Sequence, residues 1–230
     1  MKALLLAAGL GTRLRPITNH IPKCLVPIRQ KPLLAYWLDL LLPNGIDELL
    51  INTHYLPKAV EDFISQSHWR DRITLVHEEE LLGTGGTLLK NRHFFKDEPF
   101  FIGHADNLTR FDLKQFIAAH DHRPNQVDIT MMTFDTDAPH RSGIVALDHL
   151  DRVIGFYEKS LEFYGTKANA AVYIMEPTVI DFLDSLKRSV IDLSTEVLPN
   201  YLGRMLAFHN SDYHRDIGTN ESLRMAEMEF

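Results

Sequence analysis

The chain has 230 residues, 45% of them hydrophobic and 24% charged, which is the composition of a globular protein and excludes disorder, collagen and coiled coil as descriptions of the whole. At this length it can bury about 70% of the surface of its unfolded form, as one domain or a tight pair. Its 24 basic and 31 acidic residues leave a net charge of −7. That balance argues against broad binding to nucleic acid or anionic membrane, yet leaves room for a small anion held by a few local cations. The single cysteine, Cys24, excludes an intrachain disulfide, and a reducing cytoplasm is the expected setting. Twelve histidines form no H-E-x-x-H or Cys/His pattern of a zinc site. His120 and His122 are expected in the core or on the surface, and the role of His104 stays open.

The segment Ala3 to Ala8 is an all-apolar run, as in a strand buried on both faces. It is too short for a signal peptide, and Arg13 and Arg15 follow it at once. A Gly-rich turn comes next, then a loop with Pro16, Pro22 and Pro27. Leu33 to Leu42 reads as a helix that starts at Pro32 and stops at Pro43. It falls far short of the roughly 20 residues of a membrane span. Strands are expected at Glu48 to Thr53, Arg72 to His77, Pro99 to Gly103 and Val127 to Phe134. Helices are expected between them, at Pro57 to Ser67, Gly85 to Lys90 and Leu113 to His120. Such alternation implies an α/β fold, Rossmann-like, with a mixed but mainly parallel sheet and helices on both faces. The second half is less regular. Strands at Ile144 to Leu147, Val153 to Glu158, Ala168 to Met175 and Met205 to His209 suggest a partly antiparallel added layer. Helices are expected at Thr178 to Leu186, near Thr195 to Tyr201, and from Asn220 to the end.

The turn Gly9-Leu10-Gly11-Thr12-Arg13 follows the first strand directly. A dinucleotide loop would need a third Gly where Leu14 stands, and the Gly-Lys-Ser/Thr of a Walker A loop is absent. What remains is a turn that bares backbone N–H groups, with Arg13 next to it and Pro22-Lys23 about ten residues on. An Arg fork, a Lys point charge and exposed N–H groups suit a polyphosphate. Open α/β sheets place ligands at the carboxyl ends of their strands, where this turn is expected. Further along, an Asp follows an apolar strand in His104-Ala105-Asp106-Asn107. It can cap a turn, or offer the hard oxygen that Mg²⁺ beside a triphosphate takes.

The run KALLLAAGLGTRLRPITNHIPKCLVPI resembles the amino-terminal signature of the sugar-1-phosphate nucleotidylyltransferases, G-x-G-T-R followed by P-K. The resemblance extends over nearly the whole chain. It implies nucleotide contacts from Ala8, Gly9, Gly11 and Thr12, with Arg13 and Lys23 as the catalytic cations. His77 to Gly86 looks like the nucleotide-recognition loop, with Glu79, Gly83, Thr84, Gly85 and Gly86 as its contacts and Leu81 where Pro is usual. An acidic, solvated turn would explain the Glu run there but not LGTGG. Asp106 and Asp216, the latter in Asp216-Ile217-Gly218-Thr219, match the family's two Mg²⁺ ligands. Glu158-Lys159 resembles the sugar-site strand end, with Ser160 in place of Pro; a plain ion pair is its other reading. Asn169-Ala170-Ala171 resembles the family's N-A-G, and Gly143 its Gly beside the sugar.

The resemblance implies NTP + sugar 1-phosphate → NDP-sugar + pyrophosphate, with Mg²⁺ as cofactor. The HEEELLGTGG segment points to GTP with a mannose- or heptose-type sugar phosphate. A uridylyltransferase acting on MurNAc 1-phosphate or another sugar 1-phosphate, and a cytidylyltransferase, stay open. So does a non-catalytic regulator that binds a nucleotide sugar. A nicotinamide oxidoreductase is disfavoured by the missing third Gly. The expected organisation is one catalytic domain over 1–230: a nucleotide part to about 134, a sugar part over 135–215, and a metal motif with terminal helix over 216–230. Some relatives carry a carboxy-terminal β-helix, which is not expected within these 230 residues. The family often forms dimers, so a homodimer is the expected assembly. No nucleic-acid or membrane partner is expected.

Overall fold

A computed structural model describes residues 1–230. In chain order the strands are β1 (Lys2–Leu6), β2 (Pro27–Ile28), β3 (Lys31–Pro32), β4 (Glu48–Thr53), β5 (Ile73–His77), β6 (Phe100–His104), β7 (Asn107–Arg110), β8 (Ile129–Asp135), β9 (Gly143–Leu147), β10 (Val153–Glu158), β11 (Lys167–Met175), β12 (Met205–His209) and β13 (Tyr213–Asp216). The α-helices are α1 (Leu33–Leu41), α2 (Pro57–Ser65), α3 (Gly83–Lys90), α4 (Arg92–Phe95), α5 (Leu113–Asp121), α6 (Thr178–Ser185) and α7 (Asn220–Glu229). The fold is mixed α/β with a mostly parallel central sheet, as the alternation of strand and helix patterns implies. The residues group into two compact units. One holds Met1–Leu81, Gly103–Leu113 and Asp212–Phe230; the other holds Leu82–Ile102 and Lys114–Ser211.

In the first unit β4 lies between β1 and β5, and both pairings are parallel. The apolar runs of β1 and β4 are buried throughout their centres, which is why they read as continuous rather than alternating patterns. Ala105 N–H donates to the Leu6 carbonyl at 3.0 Å, so the chain leaving β6 lies beside the end of β1. Helix α1 buries Leu33, Leu34, Trp37, Leu38 and Leu41, a stripe at helical spacing. Each contributes roughly 1.5–3 kcal/mol of burial.

Strands β7 and β13 of this unit have no counterpart in the sequence pattern. They pair antiparallel, with Asp216 opposite Asn107 and Tyr213 opposite Arg110. Their segments, NLTR and YHRD, are short and polar. Under them lies a core of Leu14, Val26, Ile28, Leu33, Leu108, Ile217 and Ala226, edged by Tyr36, Tyr213, Leu223 and Phe230. Helix α7 starts at a capping box in which Thr219 and Ser222 satisfy each other's backbone.

In the second unit β9 pairs antiparallel with β10 and β11, and β11 pairs antiparallel with β8. Strand β12 runs parallel to β8. The helix expected from Gly85 begins at Gly83, so the glycines form its first turn rather than a turn before it. Residues 195–201 form no single helix: a π-type turn over Leu193–Val197 runs into a 3₁₀ turn over Leu198–Tyr201. Asp192 caps the former, and Pro199, without an N–H, helps end it.

Candidate active site

The loop after β1 is held from beneath. Gly11 sits in the left-handed region at φ +62°, and its carbonyl accepts from the Thr18 hydroxyl at 2.7 Å and from Leu14 N–H at 3.0 Å. A side chain at Gly11 would meet Thr18 at 3.0 Å and Lys23 Cβ at 3.3 Å. Gly9 differs: a Cβ there would meet nothing within 4 Å. Arg13 is exposed beside this loop, and its guanidinium lies 3.1 Å from where a Gly218 Cβ would stand. Ala8 is buried, while Thr12 is exposed.

Lys23 follows Pro22 on a short 3₁₀ turn. Its Nζ donates to Asp106 Oδ2 at 2.5 Å and to Asp216 Oδ1 at 3.1 Å, and its side chain is only 8% exposed. Three segments far apart in sequence thus meet at one ammonium. Asp106 is placed by the end of β6 and by Ile217 N–H, which donates to the Asp106 carbonyl at 3.2 Å. Asp216 ends β13, paired to β7. Strand β7 is pinned in turn by Trp37, whose buried indole N–H donates to the Asn107 carbonyl at 2.9 Å.

The electrostatics follow. Burial works to lower the Lys23 pKa, but the Asp106 and Asp216 carboxylates outweigh it and hold the ammonium above its ordinary value. Burial works to raise Asp106, and the charges of Lys23 and His104 leave it below the usual carboxylate range. Cys24, beside Lys23 but fully buried, is pushed up to about 12 by burial and by Asp106, so it is an inert thiol. No third His, Cys, Asp or Glu joins Asp106 and Asp216 in a metal-sized group. His104 therefore adds no ligand to the pair. Two carboxylates without further protein ligands suit Mg²⁺, which completes its shell with water and phosphate oxygens.

Sequence reading did not single out Asn52, although a polar residue closing the apolar run ELLIN was a usable signal. Its side chain is buried and bridges two loops. Asn52 Oδ1 accepts from Ala7 N–H at 2.8 Å, and its Nδ2 donates to the buried Glu78 carboxylate at 3.1 Å. Glu79 follows in the exposed turn after β5.

In the second unit the glycines of LGTGG are explained by the chain itself. A Cβ would meet the Ile191 carbonyl oxygen at 2.4 Å from Gly83 and the Ser189 carbonyl oxygen at 2.1 Å from Gly86. Gly85 and Gly86 donate their N–H groups to the Ile191 carbonyl at 2.9 and 3.2 Å. The Thr84 hydroxyl accepts from Leu193 N–H at 2.8 Å. These residues lock α3 onto the 189–193 segment.

Glu158 and Gly143 stand opposite one another on β10 and β9, and Ala168 pairs with Ile144, so Asn169 falls in the same row. A side chain at Gly143 would collide with Glu158 Oε2 at 2.6 Å. Lys159 is two-thirds exposed and pairs with Glu158 at 3.1 Å. The Asn169 amide is committed: Oδ1 accepts from Ala171 N–H at 2.9 Å, and Nδ2 donates to the Tyr173 hydroxyl at 2.6 Å. These bonds span a bulge in which Ala171 holds φ +53°. His120 is a core residue, fully buried, and bonds Thr130 and Glu176. No helix is long and apolar enough to cross a membrane.

The model of the family described as "Nucleotidyl transferase" matches residues 2–230. The chain belongs to this family. Its relatives include a probable mannose-1-phosphate guanylyltransferase from Oryza sativa subsp. japonica, 34% identical, with 86% of this chain and 55% of that protein covered. A UTP–glucose-1-phosphate uridylyltransferase from Synechocystis is 32% identical over 95% of this chain and 60% of its own length. The chain thus spans little more than half the length of these curated relatives. Among solved structures, HddC from Yersinia pseudotuberculosis, in complex with GMP-PN, superposes with a TM-score of 0.81 at 24% identity, covering 100% of this chain and 99% of that one. That likeness shows the nucleotidyl transferase chain to have the same fold.

Proposed function

We propose that this nucleotidyl transferase moves a nucleoside monophosphate from an NTP to a sugar 1-phosphate, releasing pyrophosphate, with GTP and a mannose- or heptose-type sugar phosphate as the favoured pair. The observation that carries this reading is the Lys23 ammonium held between Asp106 and Asp216 beside the Gly9–Arg13 loop. Gly9 supports it, because nothing in the chain occupies the space beside it. A backbone bared there admits a phosphate to its N–H groups.

The reaction is a displacement at the α-phosphorus: an oxygen of the sugar phosphate attacks in line, and pyrophosphate leaves with the bonding electrons. Such a step calls for alignment and charge neutralisation more than for a covalent partner. Arg13 and Lys23 are assigned to the triphosphate oxygens, as charge already in place for the departing pyrophosphate. Lys159 is assigned to the sugar phosphate and Glu158 to sugar hydroxyls. Asn169 shapes the row through its bonds to Ala171 and Tyr173. Cys24 offers no competing nucleophile, since burial holds its thiol protonated. A divalent cation, Mg²⁺ by the chemistry of two carboxylates, would be held by Asp106 and Asp216 and supply neutralising charge. The lone, buried Cys24 is in keeping with a cytoplasmic setting.

GTP is favoured by the guanylyltransferase named among the relatives and by the guanine nucleotide analogue bound to HddC. UTP is the second reading, favoured by the Synechocystis uridylyltransferase. Thermal unfolding with each of the four NTPs plus Mg²⁺ separates them. GTP is expected to raise Tm most; a larger rise with UTP would overturn the guanine assignment.

A further inference from the structure

We propose that Lys23 is the resident counter-cation of Asp106 and Asp216 in the nucleotide-free chain, and that its ammonium and a divalent cation exclude one another there. This rests on the metal reading above. The cation is then admitted as Lys23 transfers to the polyphosphate, and metal and nucleotide binding are coupled through this one side chain.

The geometry points this way. Lys23 Nζ lies 2.5 Å from one carboxylate and 3.1 Å from the other, occupying oxygens of the two residues that would hold a divalent cation. A dication there would face an ammonium at contact distance, a repulsion that a partly buried site screens poorly. The carboxylates are only two, with no further ligand grouped with them. They hold a metal weakly while half of their charge is answered by lysine.

The same geometry gives Lys23 somewhere to go. Its backbone is fixed by the 3₁₀ turn and by buried Cys24, while its four-carbon stem is flexible once the bonds of its ammonium to Asp106 and Asp216 are given up. The root of that stem lies against the Gly11 turn, with Lys23 Cβ 3.3 Å from the position of a Gly11 Cβ. A phosphate seated on the loop is therefore within reach of a rotation of the side chain, and the backbone need not move. Linkage requires the effect to be mutual: nucleotide raises metal affinity by the factor by which metal raises nucleotide affinity.

The test is a Mn²⁺ titration, followed by the EPR signal of the free ion, on the nucleotide-free chain and on Lys23→Met and Lys23→Gln. Circular dichroism checks that each is folded. Mn²⁺ affinity is expected to rise about tenfold or more in both variants, and the gain to vanish when Asp106→Asn is added. Folded variants that bind Mn²⁺ no more tightly than the parent would overturn the exclusion. Should neither variant fold, amine labelling of Lys23 in the parent decides: saturating Mn²⁺ must raise it, and unchanged labelling overturns the proposal. A separate arm with a non-hydrolysable GTP analogue tests the metal reading itself. If Asp106→Asn weakens Mn²⁺ binding in that ternary complex, the metal reading stands whatever the fate of the exclusion. If it does not, both fall.

Discussion

Gly9 and Gly11 stand two residues apart in one loop, and only Gly11 is required by the chain's own packing. Gly11→Ala forces a left-handed alanine against Thr18 and is expected to cost about 1–2 kcal/mol in urea unfolding. Gly9→Ala is expected to leave stability within about 0.5 kcal/mol while raising KM for the NTP. An unchanged KM would remove Gly9 from the nucleotide site. Ala171 makes the reverse case. It holds φ +53° where the family pattern has Gly, so Ala171→Gly relieves strain and is expected to stabilise by roughly 0.5–1 kcal/mol after glycine's extra entropy cost. A loss of stability would show that the Asn169 bonds already relax this turn. The spacing G-x-G was legible in the sequence. Which glycine serves the fold was not, because the contact with Thr18 arises only when the loop folds back on itself seven residues on.

Strands β4, β10 and β12 lie where their patterns place them, since each is an apolar-rich run bounded by turn residues. The β7–β13 ladder was illegible for the opposite reasons. Its strands are four residues each, polar, and paired across about a hundred residues, so no local periodicity announces them. Yet this ladder fixes Asp216 against the residue after Asp106. The sequence thus offered two isolated aspartates, and only the pairing explains their convergence on Lys23. Trp37 anchors the ladder from α1. Trp37→Phe keeps most of the apolar bulk but removes the indole donor to the Asn107 carbonyl, with an expected loss of about 0.5–1.5 kcal/mol in urea unfolding and a fall in kcat. A stable variant with unchanged kcat would show that β7 holds its place without this bond. The LGTGG segment was legible as special, but its Gly83 and Gly86 answer the 189–191 backbone and its Gly85 the Ile191 and Leu183 side chains rather than open space, a demand that no local pattern discloses.

Charge and acid response belong to the molecule entire. The net charge of −7 conceals local balance: Lys23 answers two carboxylates, and Arg13 and Lys159 stay exposed. His120 sets a second, purely structural response. Burial, then Arg123, pushes its imidazole down to about 4 from an ordinary 6.5. Between those values the unfolded chain takes up a proton that the folded chain refuses. Stability is therefore full above pH 6.5 and falls as pH drops towards 4, by about 3 kcal/mol in all. His120→Gln is expected to flatten that limb in urea unfolding at pH 7.5 and 4.5, and an unaltered slope would shift the cause to the carboxylates. The most direct test of the catalytic assignment is pyrophosphate release from GTP and mannose- or heptose-type sugar 1-phosphates with Mg²⁺, in the parent chain and in Lys23→Ala. Release is expected only when both substrates are present, with kcat/KM lowered at least a hundredfold, about 3 kcal/mol, in the variant. A folded Lys23→Ala chain with undiminished kcat/KM would contradict it.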